Sequence, residues 1–224
     1  MATRRRRKLP LSMTQPTLLA RIRRRLLGAL ALFLTQPLRH AERPAPGDAQ
    51  SLHALLRPGD VLLSDANSRM AALVRRITRS SWSHVSMYVG PLEDGPDPRC
   101  VVEADLAAGV RAVPLSSFAG QRARVLRPMG LGEAERRRIA DWVVNRIGDP
   151  YDVAHAWTLA RWLLRLPARP ATIAQDAKRF ICSSLLAQAF LLIGFPIAAA
   201  APGYVIPRDF ESASGFEVVR TLSG

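Results

Sequence analysis

The chain has 224 residues and a formal net charge of +14, a length that accommodates one domain with a substantial core and an appendage. Its two cysteines, Cys100 and Cys182, exclude a disulfide framework, and no Cys or His pair has the spacing of zinc ligands. Aromatic residues make up 6% of the chain, with no basic run interleaved among them in its main part. We therefore expect no metal, no cofactor and no specific nucleic-acid partner.

The basic charge is concentrated at the start of the chain. Residues 1–50 hold eleven of the 32 Lys and Arg but two acidic residues, so they carry +9 of the net charge. The apolar run at 26–34 is shorter than the ~20 residues that span a bilayer, and the chain beyond it offers only poor signal-peptide cleavage sites. A basic helix at 17–34 fits an anionic membrane surface; a mobile basic tail is the alternative.

This interpretation divides the chain into two parts. Residues 1–50 are predicted to form a basic arm that ends in a Pro-rich linker, and residues 51–224 are predicted to form the folded domain. Membrane association at the cytoplasmic face is the favoured location, and periplasmic export is the other possibility.

Strand patterns dominate the first half of the folded domain. A short helix at 67–78 is predicted from the spacing of its apolar residues. The connections between the later strands are too short for parallel crossovers, so we expect an antiparallel meander. The strands are predicted at residues 61–65, 80–90, 100–105, 109–115 and 122–128.

Three longer helices are predicted in the second half, at 132–148, 151–166 and 178–196. The first is amphipathic, with one apolar face. The second is apolar nearly all round, so it is either buried on several sides or faces a hydrophobic ligand. The third carries a continuous apolar stripe that begins at Cys182. The predicted class is α+β, with an antiparallel sheet packed against the helix that carries this cysteine.

The strand at 80–90 has an unusual polar face. Val85 and Met87 share one side by parity, whereas His84, Ser86 and Tyr88 share the other. An imidazole, a hydroxyl and a phenol in a row are not typical of a merely solvent-facing strand. We therefore expect this face to contribute to a functional site.

The next strand supplies a carboxylate. Glu103 shares its face with Asp105 and lies opposite Cys100 by parity, so a hairpin would set Glu103 beside His84. A helix packed on that face would bring Cys182 to both. A thiol at a helix N-terminus has a lowered pKa, and a cysteine hydrolase needs a base and a group that orients the base. The pattern predicts a nucleophile, a base and an orienting acid.

Alternatives exist for each of these residues. Taken alone, a strand histidine, a helix cysteine and a strand glutamate are each typical of a structural role, and only their conjunction favours catalysis. Asp105 is the alternative orienting acid. Cys100 points to the opposite face from Glu103 and is expected in the core. His155, in the apolar helix, is expected to be structural.

Five short stretches carry a family resemblance: RPGDVLL, WSHVSMYVG, VVEAD, GDPYD and FICSSLLAQAF. Over residues 57–211 the chain resembles the circularly permuted papain-like hydrolases of the NlpC superfamily. The group it resembles is YiiX/YebB-like, a cousin of lecithin retinol acyltransferase. The resemblance implies a permuted papain-like catalytic domain at 51–224.

The resemblance also assigns roles to residues. It implies Cys182 as nucleophile, His84 as base and Glu103 as the orienting residue. Tyr151, in GDPYD, matches a tyrosine common in this group and is expected to line the site. Tyr88 and Ser183 are the other residues that we expect to contact substrate.

The expected activity is that of a thiol hydrolase with a Cys-His-Glu triad acting on an amide bond, as a peptidase or amidase, with cell-wall-type peptides as one possible substrate. A lipid acyl hydrolase or acyltransferase with the same triad is the first alternative, because the apolar helix and the basic arm favour a lipid substrate. A catalytically inactive, membrane-associated binding protein is the alternative from another class.

Overall fold

The structure is a computed structural model that describes residues 52–65, 68–166 and 180–222. The predicted basic arm lies outside the described residues, so its membrane-surface role stays a prediction. Within the described residues, no helix combines the length and the apolar character that crossing a bilayer requires.

The predicted α+β class is confirmed by one antiparallel sheet with helices packed against it. The strands are β1 (Val61–Asp65), β2 (His84–Tyr88), β3 (Arg99–Asp105), β4 (Gly109–Pro114), β5 (Arg122–Pro128) and β6 (Phe216–Leu222). The helices are α1 (Arg69–Thr78), α2 (Glu133–Val144), α3 (Val153–Leu163), α4 (Cys182–Leu191) and α5 (Pro207–Ser212). Short 3-10 turns occupy Leu115–Phe118 and Pro202–Tyr204.

The strand order is β4-β3-β2-β1-β5-β6. Strands β1 to β4 form the predicted meander, but β5 pairs with β1 rather than with β4. Both outer strands of a meander keep one edge free, so the meander alone does not decide which edge the next strand joins. The edge strand β6 was not among the predicted strands. Its adjacent Val218 and Val219 interrupt the alternation, and Val218 is 57% exposed.

Apolar side chains cover both faces of the sheet. On one face, Val85 and Met87 of β2 pack in a core that includes Leu185 and Leu186 of α4. On the other face, Tyr88 belongs to a second core that residues from the loops and strands complete. Since both faces are buried, an apolar–polar alternation along a strand does not reveal which face a helix covers.

The helix α4 packs on the opposite face from the one that the sequence indicated. We expected it to lie on the face of His84, Ser86 and Tyr88, yet its apolar stripe covers Val85 and Met87. The physical reason is that the stripe needs apolar partners, which that side of β2 supplies.

Cys182 nevertheless meets the polar face, because β2 and β3 separate at one end. The two strands pair only at Met87 with Val102 and at Tyr88 with Val101. His84 and Glu103 therefore lie beyond the paired positions. Cys182, the first residue of α4, contacts His84 and the Val85 N–H of β2 at this open end.

Two backbone hydrogen bonds attach the GDPYD segment to the sheet. The N–H of Val110 in β4 donates to the Asp149 carbonyl at 2.8 Å, and the Gly148 N–H donates to the Val110 carbonyl at 2.9 Å. Gly109 allows this approach because it has a φ of +75°, and a Cβ there would lie 2.4 Å from the Asp149 carbonyl oxygen. The contact fixes the segment that carries Tyr151.

We predict that Gly109→Ala destabilises the protein far more than Gly130→Ala. Gly130 has nearly the same φ, +74°, but nothing lies within 4 Å of a Cβ built on it. We expect Gly130→Ala to cost about 1 kcal/mol, from backbone strain alone. Gly109→Ala should cost about 3 kcal/mol or more, because backbone must also shift. Urea unfolding measures both, and equal losses would contradict the close approach.

Candidate active site

The candidate nucleophile stands at the start of α4. The helix begins at Cys182 because Ile181, at the N-cap position, is extended. The Ser184 hydroxyl accepts a hydrogen bond from the Ile181 N–H at 3.1 Å and fixes this start. The first N–H groups of a helix have no intrahelical acceptor, and the helix dipole adds positive potential there. The partly exposed thiol therefore lies at an electropositive point.

The candidate base and orienting acid are in direct contact. Nε2 of His84 lies 3.0 Å from Oε2 of Glu103, and the two side chains are only 20% and 10% exposed. The imidazole also shares a side-chain hydrogen bond with Cys182. Because Nε2 is occupied by the carboxylate, Nδ1 is the ring nitrogen left for the thiol.

The pKa shifts of this trio favour a thiolate beside an imidazolium. Burial raises the pKa of the Cys182 thiol, but the charge and hydrogen bond of His84, with the N–H groups of Val85 and Ser183, lower it below its usual value. Burial lowers the pKa of His84, but Cys182 and Glu103 together raise it well above its usual value. The two shifts have the same cause, since each ion stabilises the other.

Glu103 stays ionised in spite of its burial. Burial raises the pKa of its carboxyl group, but His84 and Arg111 outweigh that effect and lower the pKa to about 2. The alternative acid, Asp105, makes different contacts: it accepts hydrogen bonds from the N–H groups of Ala107 and Ala108 at 2.9 and 2.8 Å. The structure thus brings Glu103, rather than Asp105, to the imidazole.

Tyr151 lies at the same site. It lines a cavity that also contains Cys182. Burial, with the charges of Cys182, Asp105 and Asp152, raises the pKa of its phenol above the usual value. The phenol is therefore protonated at neutral pH and carries an O–H donor near the thiol.

Tyr88 is not placed as the sequence indicated, whereas Ser183 is among the residues that line the cavity. Tyr88 is buried in the second core, with its hydroxyl 3.4 Å from His53 Nδ1, and it is not among the residues that line the cavity. The hydroxyl of Ser183 is buried and donates to the Val205 carbonyl at 2.6 Å. Only the backbone N–H of Ser183 faces the sulfur.

The remaining cysteine and histidine candidates have structural surroundings. Cys100 is fully buried in the second core, and burial raises the pKa of its thiol to about 11. His155 Nε2 is 2.6 Å from the Gly203 carbonyl oxygen, which ties α3 to the turn at Pro202–Tyr204.

The trio opens into a cavity of ≈ 320 Å³. Its polar end holds the trio together with Arg111 and Tyr151. Its other wall is apolar and is built from two helices, α1 and α3. The side chains of that wall include Met70, Val74, Ile77, Leu159 and Leu163.

The exposure of α3 decides whether this apolar helix is buried on several sides, which the sequence left open. Of its residues only Leu159 is fully buried, whereas Trp157 and Trp162 are 65% and 49% exposed. The helix is therefore not buried on several sides, and its inner face forms part of the cavity wall. Among the described residues, no group of three or more His, Cys, Asp or Glu could hold a metal ion.

Sequence reasoning missed Arg111. This residue stands directly opposite Glu103 in the ladder of β3 and β4, and its Nη2 lies 2.9 Å from Oε1 of Glu103. The signal was present, because both strands were predicted and the short turn between them fixes which residues face each other. Extending the hairpin by one strand would have found it.

Comparisons with known proteins identify a similar fold and a family. No curated protein matches the chain. The fold is similar to the crystal structure of the metalloprotein yiiX from Escherichia coli O157:H7, with a TM-score of 0.53 and 18% identity, covering 75% of this chain and 96% of that chain. Together with the family model that matches residues 55–199, this likeness confirms the predicted permuted papain-like fold.

A family model described as permuted papain-like amidase enzyme, YaeF/YiiX, C92 family, matches residues 55–199. The matched range runs from before β1 to beyond α4 and so includes the strands and the helix that meet at the candidate site. The chain therefore belongs to the permuted papain-like amidase family, YaeF/YiiX, C92.

Proposed function

We propose that the protein is a thiol hydrolase that cleaves an amide bond with a triad of Cys182, His84 and Glu103. The observation that carries the proposal is the 3.0 Å contact of His84 Nε2 with Glu103, which leaves the other ring nitrogen to a thiol of lowered pKa. Membership in an amidase family supports the amide as the bond that is broken.

The first half of the reaction forms an acyl-enzyme. The Cys182 thiolate attacks the carbonyl carbon, and the carbonyl electron pair moves to oxygen. When the tetrahedral intermediate collapses, the C–N bond breaks and the His84 imidazolium gives its proton to the departing amine. Glu103 stays ionised and stabilises the imidazolium, as the acid of a catalytic triad does.

The second half releases the acyl group. Water attacks the thioester carbonyl and gives a proton to neutral His84. The C–S bond then breaks, the carboxylic acid leaves, and the thiolate–imidazolium pair is restored. Atoms and charges balance without any cofactor.

The oxyanion donors come from the start of α4 and from the cavity wall. The N–H of Cys182 lies in the first turn, where helix N–H groups have no intrahelical acceptor. The protonated Tyr151 hydroxyl would be a second donor, because Tyr151 lines the same cavity as Cys182. Each such donor is typically worth about 3 kcal/mol of transition-state stabilisation.

A second candidate is a lipid acyl hydrolase or acyltransferase with the same triad. The apolar wall formed by α1 and α3 favours it, since that wall suits an alkyl chain better than a polar peptide. The exposed Trp157 and Trp162 of α3 are also compatible with an interfacial substrate. The acyl-enzyme is common to both candidates, and the leaving group distinguishes them.

We predict that Cys182→Ala abolishes turnover of amide substrates while the protein stays folded. The thiol supplies the attacking atom, so the loss should exceed about a thousandfold. Cys100→Ala is the matched control, and its turnover should be unchanged because Cys100 lies in the second core. A fluorogenic acyl-amide panel and circular dichroism give the two readouts. Full activity in Cys182→Ala would remove the assignment.

The pH dependence of thiol labelling should report the ion pair. Because the pKa of Cys182 is lowered, iodoacetamide should label it far below pH 9, with the rate falling only as pH drops through that lowered pKa. At pH 7 it should label at least about tenfold faster than Cys100, whose thiol pKa is raised to about 11. His84→Ala should remove most of this advantage. Mass spectrometry measures each site.

Turnover should have an additional alkaline limit. The pKa of His84 is raised, so the imidazolium proton needed by the leaving amine is retained above pH 6.5 and is lost once pH passes the raised value. Labelling, which needs only the thiolate, should stay high there. Equal, slow labelling of both cysteines at every pH would instead favour an inactive binding protein.

Matched amide and ester substrates with the same acyl chain should separate the two candidates. An amidase should cleave the amide as well as the intrinsically more reactive ester, since His84 protonates the departing amine. Exclusive cleavage of long-chain esters would favour the lipid candidate. In either case, shortening an alkyl acyl chain should lower kcat/KM by about threefold or more per CH₂ removed, because the apolar wall loses contact.

A further inference from the structure

A further charged residue, Arg111, contacts the Glu103 carboxylate. Arg111 of β4 stands opposite Glu103 in the ladder of β3 and β4. Its Nε donates to Oε1 of Glu103 at 3.0 Å, and its Nη2 lies 2.9 Å from the same oxygen. His84 holds Oε2. The two oxygens of Glu103 thus have separate partners.

The guanidinium is itself held in place. Its Nη2 also reaches Oδ2 of Asp105 at 3.4 Å, and Asp105 is anchored by the N–H groups of Ala107 and Ala108. The Arg111 side chain is 46% exposed, whereas the Glu103 side chain is 10% exposed. The cation therefore keeps much of its hydration while it compensates a buried carboxylate, which is the less costly way to keep that carboxylate charged.

This arrangement fixes two properties of Glu103 at once. A carboxylate with one unheld oxygen can rotate about its terminal bond, and a buried carboxylate without a cation tends to take up a proton. Arg111 opposes both changes, because its planar fork fixes the orientation and its charge favours the ionised form. The charged or titratable groups that act on Glu103 or His84 from outside that pair are Arg111 from β4 and Cys182 from α4. Asp105, at the end of β3, contacts Arg111, and Tyr151, from the segment before α3, interacts with Cys182.

We propose that Arg111 is a positioning residue for the triad. It holds the Glu103 carboxylate in the orientation and charge that fix His84 toward Cys182, and it does not contact the reacting atoms itself. The inference rests on the proposed function, because it assigns Arg111 a role in the activation of that same thiol.

The test is the rate of Cys182 labelling by iodoacetamide between pH 4 and 8, mapped by mass spectrometry on the full chain. Arg111→Gln should slow labelling near pH 5 by about tenfold, since hydrogen bonds between ions are lost at a half-exposed group. The acid limb of its pH profile should move to higher pH, because Glu103 then protonates at a higher pH. Arg111→Lys keeps the charge without the planar fork. It should return the acid limb to its wild-type pH but recover only part of the labelling rate.

A double-variant cycle tests whether Arg111 affects the labelling rate through Glu103. In a Glu103→Ala background Arg111 has no triad carboxylate to hold, so adding Arg111→Gln should change the rate by less than about twofold. Arg99→Gln is the matched control, because it removes an exposed ion pair with Glu93 on the same sheet. Its profile should equal that of the wild type, and urea unfolding of every variant should report a folded protein.

Three outcomes would overturn the inference. Wild-type labelling in Arg111→Gln, together with slow labelling in His84→Ala and Glu103→Ala, would leave the proposed function intact and remove the role of Arg111. An undiminished effect of Arg111→Gln in the Glu103→Ala background would mean that Arg111 acts on the thiol directly. Equally slow labelling of Cys182 and Cys100 in the wild type would overturn the proposed function, and this inference with it.

Discussion

The hydrogen bond between His84 Nε2 and Glu103 Oε2 is the contact on which the rest of the site depends. It decides which ring nitrogen faces the sulfur, and it compensates the positive charge of a largely buried imidazolium. Without it, a histidine at the first position of β2 could turn away from the thiol. The fold supplies this contact through the separation of β2 and β3, which pair at only two positions and leave a gap beside His84. The sulfur of Cys182 reaches that gap, where the Val85 N–H meets it.

The sheet and the helices therefore divide the work. The sheet carries His84, Glu103 and Arg111 on neighbouring strands, and the ladder of β3 and β4 sets Glu103 opposite Arg111. The helix α4 brings Cys182 by a different interaction, the burial of its apolar stripe on the first core. A change that disturbs one of these two interactions moves part of the site relative to the other, which is why the meeting point at Cys182 is sensitive to both.

Much of this could be predicted from the sequence. Five of the six strands were found, with ends that differ by at most four residues. Cys182, His84 and Glu103 were selected because parity placed the last two on one face. Parity could not decide which face α4 covers, because both faces are buried. For the same reason Tyr88 was expected at the site but lies in the second core. The exposure of Trp157 likewise depends on how α3 packs, and a pattern that is apolar all round carries no such direction.

The order of these parts along the chain has a consequence for synthesis. Residues of β2, β3 and β4 leave the ribosome first, and α4 follows long afterwards. The polar face of the sheet can thus pair before Cys182 is synthesised. The contact of His84 with Cys182, which lowers the pKa of that thiol, therefore forms only when α4 packs on the sheet, and the sequence order alone delays it.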